Sequence, residues 1–203
     1  MALHDQTQLQ ELKHYEAVRH YQVNYHGFGK SLAANMEVEV TFDASSGKSF
    51  RIISQGGSKL LCEKVLKRAV DSEAEASRDR ESTAMTPANY KFQLQGSESL
   101  NGRPAYILLV EPLKDSKFLF RGKIWVDGAD FAVAKIEATP AKNPSFWIAR
   151  TLIDSSSAKT GDFWLPLQNR SKTKVRIGGT AVLTIDYGAY QIVSNAPQQN
   201  PGD

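Results

Sequence analysis

One cysteine in 203 residues, Cys62, leaves no partner for an intrachain disulfide and no thiolate pair for a metal. Beside Leu61, Val65 and Leu66, with no adjacent histidine to activate it, Cys62 is expected as a small buried apolar residue. No apolar run approaches the ~20 residues that a membrane-spanning helix needs. Neither sign of charge dominates: 25 Lys+Arg against 22 Asp+Glu give a net charge of +3. That balance argues neither for a nucleic-acid protein nor for a polybasic membrane binder, and no nucleic-acid partner is expected. The Gly-x-Ser-x-Gly, His-Glu-x-x-His and phosphate-loop spacings are all missing. No enzyme activity, metal or cofactor is therefore expected, and a Ser/His/carboxylate triad assembled in space is the one route to a hydrolase left open. The first residues, Met1 to Asp5, lack a basic and then apolar leader pattern, which fits either a cytosolic protein or one whose leader has been removed.

What is present is β patterning. With 41% hydrophobic and 23% charged residues, the chain can bury a core as a single domain over residues 1–195. The polar, Pro-rich residues 196–203 are expected to be a disordered tail. Leu9, Leu12 and Ala17 suggest a short N-terminal helix over 5–17, with Asp5 as its cap. Tyr21, Val23 and Tyr25 then alternate with polar residues, as do Met36, Val38, Val40 and Phe42. Phe50 and Ile52 continue the pattern after a Ser-Ser-Gly turn.

Gly56-Gly57 breaks this run, and the period becomes helical, with Cys62, Val65, Leu66 and Ala69 on one face and Leu61 beside them. Ser72-Glu-Ala-Glu75 matches a capping box, so the insertion over 58–83 is expected as two helices, 58–70 and 73–83, the second facing solvent. Strands resume at Tyr90, Phe92 and Leu94, and Asn101-Gly102 predicts a type I′ hairpin. Residues 105–110, apolar at nearly every position, read as a central strand covered on both faces. A long hairpin follows over 118–139, turning at Asp127-Gly-Ala-Asp130. Further strands are expected over 145–153, after Phe163-Trp-Leu-Pro166, over 169–177, and over 180–190 beyond Gly178-Gly179.

About ten strands joined by short turns must pair antiparallel, since parallel neighbours need a long crossover. The fold class is mainly β (α+β): a single curled antiparallel sheet or incomplete barrel wrapped around one or two helices. Residues 58–70 are the segment to be held inside.

The order of elements resembles the LolA-like family of outer-membrane lipoprotein-sorting proteins. So do the runs Tyr106-Ile-Leu-Leu-Val-Glu-Pro112, Phe120-Arg-Gly-Lys-Ile-Trp-Val-Asp127 and Phe131-Ala-Val-Ala-Lys-Ile-Glu137. Asn143-Pro-Ser-Phe-Trp147 and Phe163-Trp-Leu-Pro166 are similar to a bacterial subgroup of it. The resemblance spans about residues 17–192. It implies an incomplete barrel with an apolar cavity for acyl chains, a periplasmic address and no chemistry.

Two readings of the interior follow. In one, the core is filled and the protein is an interaction or envelope-regulatory module with a protein partner. In the other, a cavity between sheet and helix accepts a lipid or lipoprotein acyl chain, driven by ~0.8 kcal/mol per buried CH2. Its candidate lining is Met36, Val38, Val40, Phe92, Leu94, Phe120, Ile124, Val126 and Ile136 from the sheet, with Leu61, Val65 and Leu66 from the helix. Within the long hairpin, Phe120, Gly122, Ile124 and Val126 are expected to face the 58–70 helix, and Arg121, Lys123 and Trp125 to face outward. Gly122 would permit sharp curvature or close helix approach.

Arg170, Lys172, Lys174 and Arg176 set four cations on one strand face, either a solvated exterior or a docking surface for an acidic partner or anionic headgroups. His20 and His26 lie about 20 Å apart along an extended strand, too far to share a metal. Asp127, Gly128 and Asp130 lack the ligand spacing of a calcium loop and read as a turn. Trp125, Phe146, Trp147, Phe163 and Trp164 are packing anchors or, if exposed, a contact rim. The expected assembly state is a monomer.

Overall fold

The computed structural model describes residues 12–143, 145–176 and 178–194. Eleven strands form one antiparallel sheet: β1 (Leu12–Gly27), β2 (Lys30–Asp43), β3 (Gly47–Gly57), β4 (Tyr90–Leu100), β5 (Arg103–Pro112), β6 (Phe120–Asp127), β7 (Val133–Pro140), β8 (Ile148–Thr160), β9 (Phe163–Val175), β10 (Thr180–Tyr187) and β11 (Gln191–Ser194). Their order is β3-β2-β1-β10-β9-β8-β7-β6-β5-β4, with β11 continuing the β10 edge along β1. β3 and β4 are the unpaired edges, and the sheet does not close between them. A helical insertion crosses that gap. Helix α1 comprises Lys59–Leu61, a π-helical turn Cys62–Leu66 and Lys67–Arg78, and a single turn α2 (Arg80–Thr83) follows. This is the expected curled sheet around a helix.

Period-two burial explains why the sheet curls around one face. Tyr15, Ala17, Arg19, Tyr21 and Val23 of β1 and Ala34, Met36, Val38, Val40 and Phe42 of β2 are all buried, alternating with more exposed neighbours. Against them α1 packs Leu61, Cys62, Leu66 and Val70, with Ile185 of β10 completing this first core. A second core lies further along the same face, where Tyr90, Val110, Leu119, Ile124 and Val126 meet under β4 to β7.

Between the cores, β7 and β8 are paired only from Lys135↔Ser156 to Ala138↔Ile153, after which the two strands diverge. The Asn101-Gly102 turn has φ of 51° and 80° at its two central residues, as a type I′ turn requires.

Four expectations are corrected. Residues 12–17 are strand, not the end of a helix, because Tyr15 and Ala17 extend the alternation of β1 and pair with Phe42 and Val40; residues 5–11 lie outside the described residues, as does the tail 196–203. Ser72 starts no second helix, since α1 runs unbroken through it to Arg78 and the chain breaks instead at Asp79, whose side chain caps Ser82 N–H. Strand β5 is not covered on both faces: it lies next to the edge strand β4, and Tyr106 is exposed. The hairpin β6–β7 does not face α1. Its inward residues belong to the second core, while α1 sits over β1, β2 and β3, from which it directly continues.

Candidate functional site

Two packed cores leave space where neither fills. A cavity of about 490 Å3 opens between the C-terminal half of α1 and the ends of β1, β2 and β9. Leu12, Tyr15 and Phe42 form its sheet wall, Ala76 of α1 and Met85 of the bend after α2 face them, and Phe163 and Leu165 of β9 complete the lining. The wall is aromatic: Tyr15 stacks on Phe42 with ring centroids 5.2 Å apart and meets Tyr190 edge-on at 5.3 Å. Its volume falls within the roughly 300–1,000 Å3 common for ligand pockets.

One side of this cavity is polar. Lys48 of β3 and Glu73 of α1 line it, and their ion pair measures 3.0 Å. Glu73 also takes a 2.5 Å ion pair from Arg19, whose side chain is 1% exposed. Burial alone would raise the Glu73 carboxyl, but the charges of Lys48 and Arg19 and their hydrogen bonds outweigh it and hold it below its ordinary value. Arg19 stacks on Tyr187 at 4.6 Å and on Phe50 at 5.8 Å. Its Nε is buried without a hydrogen-bond partner.

The candidate lining residues read from the sequence do not bound this cavity. Met36, Val38, Val40, Leu61 and Leu66, with Val65 beside them, are packed in the first core. Ile124, Val126, Phe92, Phe120 and Ile136 belong to the second. Leu94 joins neither and is 63% exposed. Leu94 apart, their inward placement is as read, yet the structure splits them between two cores instead of around one void. Phe42 was visible as a strand signal and Phe163 as an aromatic one, whereas Tyr15 lay in the stretch read as a helix. What the pattern did not carry was the path of α1, which decides where side chains stop filling the space.

The outer face holds the basic ladder. Arg170, Lys172 and Lys174 are exposed on β9, and Arg176 is exposed in the turn that follows it. Arg170 lies opposite Asp154, but Lys172 faces Leu152 and Lys174 faces Arg150. Where β7 and β8 diverge, Arg121, Arg150, Arg170 and Lys172 edge an open groove of about 440 Å3, with Glu137 and Asp154 between them.

The other chemistry-bearing groups are engaged structurally. Asp127 accepts from the backbone N–H groups of Ala129 and Asp130 and pairs with Arg103, which holds its carboxyl far below the usual carboxylate range. Asp130 takes Arg103, Lys159 and the Trp164 indole. Trp125 faces outward, donating its indole N–H to Glu98. Cys62 is buried. His26 Nδ1 lies 2.9 Å from Ser31 Oγ at an exposed position, with no carboxylate joined to this pair among the described residues. Glu37 takes His20 Nδ1 at 3.2 Å and accepts from Ser54 Oγ at 3.1 Å, so here the carboxylate stands between the imidazole and the hydroxyl, where a triad needs the histidine. Among those residues, no group of three or more His, Cys, Asp or Glu could hold a metal, and no helix is long and apolar enough to cross a membrane.

No protein-family model matches the chain, and no curated protein sequence matches it. Solved structures similar to it include a DUF1329 family protein from Desulfovibrio piger, at 14% identity and a TM-score of 0.45, covering 97% of this chain and 91% of that one. A domain from Vibrio parahaemolyticus named for outer-membrane lipoprotein sorting is 9% identical with a TM-score of 0.43, over 97% and 92% of the two chains. A LolA-superfamily protein from Nitrosomonas europaea is 11% identical with a TM-score of 0.39, over 98% and 95%.

Proposed function

We propose that the protein is a non-enzymatic carrier or sensor that holds a lipid or lipoprotein acyl chain between its curled sheet and α1. The observation that carries this is the cavity of about 490 Å3, walled by Tyr15, Phe42, Met85, Phe163 and Leu165 and polar along one side at Lys48 and Glu73. An acyl chain gains ~0.8 kcal/mol for each CH2 removed from water, so even partial insertion is worth several kcal/mol. The polar side would keep a headgroup or a protein-linked ester toward solvent. The periplasmic address accords with the sequence resemblance. Native mass spectrometry of the purified protein, with displacement of a fluorescent fatty acid, tests the reading. A lipid adduct and saturable displacement are expected; a clean apo mass with no displacement overturns it.

The outer basic ladder favours a second reading, a module that binds an acidic envelope protein through Arg170, Lys172 and Lys174. Capture of a defined partner by the wild type, lost when these three are changed to Gln, with no lipid adduct, would select this reading.

A further inference from the structure

Three turns meet at the end of the sheet opposite the cavity: β1–β2, β9–β10 and the loop leading into β8. They display the most exposed aromatic rings among the described residues, Phe28 at 71%, Phe146 at 74% and Trp147 at 57%. The rings form one connected rim. Phe28 lies over Gly178, where a Cβ would sit 2.7 Å from the ring, and Tyr25 donates its hydroxyl to the Gly178 carbonyl at 3.2 Å. From the same turn, the Arg176 backbone N–H donates to the Trp147 carbonyl at 2.8 Å. The Arg176 guanidinium covers the Phe146 ring at 5.1 Å, and Phe146 meets Trp147 edge-on at 5.6 Å.

Charge is segregated at this end. Segments 24–34, 141–151 and 172–182 contain Lys30, Lys142, Arg150, Lys172, Lys174 and Arg176, and no Asp or Glu at all. Lys174 stands directly across from Arg150, a like-charge placement that costs stability in the free protein. The net charge of +3 hides this local excess.

We infer that this rim docks the protein on an anionic lipid surface, the rings entering the interfacial layer and the cations meeting headgroup phosphates. Projecting aromatic rings are the side chains that settle at the headgroup level of a bilayer, and neighbouring Lys and Arg draw a protein to anionic lipid. The inference is independent of the cavity and of what it holds.

Co-sedimentation of the full chain with vesicles tests it, using phosphatidylcholine alone or mixed with phosphatidylglycerol. The wild type is expected to bind the mixed vesicles at low salt, to release at high salt and to leave pure phosphatidylcholine unbound. Phe146→Ser with Trp147→Ser should weaken partition about tenfold or more. Arg150→Gln, Lys174→Gln and Arg176→Gln should each weaken it roughly fivefold. These side chains are exposed, so unchanged circular dichroism is expected for both sets. Binding should also shift the tryptophan emission to the blue, and Trp147→Phe should remove the shift. No sedimentation at low salt, equal binding to both vesicle types, or unaltered binding by the ring and charge variants overturns the inference. So does a concentration-dependent dimer abolished by the ring variant, which would make the rim a contact between copies.

Discussion

Arg19 of β1 and Glu73 of α1 form an ion pair at 2.5 Å, joining the insertion to the sheet beneath it. Lys48 reaches the same carboxylate from β3, so one acidic side chain ties α1 to two strands. Removing the carboxylate charge leaves Arg19 buried and uncompensated. Glu73→Gln is therefore expected to cost about 3–5 kcal/mol in urea denaturation, and Arg19→Met combined with Glu73→Gln to recover at least half of that. A loss under about 1 kcal/mol in the single variant would show that the helix is not held at this point.

The same carboxylate sets an acid limb. The folded Glu73 carboxyl titrates below its unfolded value, as do Asp127 and Asp130. A depressed carboxylate contributes its full stabilisation above the unfolded value, about 4 for these groups. The contribution is lost as pH falls through the folded value. Unfolding monitored between neutral pH and pH 2 should show stability falling once pH drops below about 4, with a shallower fall in Glu73→Gln. An identical slope in that variant would remove Glu73 from the acid response.

The Gly122 position separates what the sequence told from what it withheld. Alternation placed Phe120, Ile124 and Val126 inward and Trp125 outward, and the structure agrees in direction, because facing alternates locally along each strand. Burial does not alternate, since Trp125 is 6% exposed on the outer face, covered by Glu98 and Lys135. The reason for Gly122 was not local. Its φ is 154°, and a Cβ would overlap the Glu137 carbonyl oxygen and lie 2.7 Å from Ala138 Cα, so the crowding comes from β7 and not from α1. The cavity was hidden in the same way. Ala76, Ser77 and Met85 carry no strong signal of their own, and only the descent of α1 across the open sheet brings them opposite Tyr15 and Phe163. The basic ladder was legible as a periodic pattern. Its junction with Phe146 depends on a turn contact between segments thirty residues apart.

Gly122→Ala is expected to destabilise by about 1–3 kcal/mol, from a φ unsuited to any L side chain and from contact with β7 backbone that cannot move alone. Gly102→Ala offers the comparison, since its φ is 80° with open space around it; that variant should show conformational strain without the clash. Chemical denaturation of both checks this. Equal losses would mean that contact with β7 adds nothing.

Cavity and core can be separated by a pair of substitutions. Ala76 faces the void, so Ala76→Phe inserts a ring into space that no side chain occupies. It should leave the denaturation midpoint nearly unchanged while weakening fatty-acid displacement about tenfold or more, since the ring excludes several methylenes worth ~0.8 kcal/mol each. Met36 is 1% exposed inside the packed first core. Met36→Ala should do the opposite, costing about 2–5 kcal/mol of stability while leaving displacement by the folded fraction intact. If Met36→Ala lowers affinity and Ala76→Phe does not, the acyl chain sits among the strands of the first core and not beneath the C-terminal half of α1.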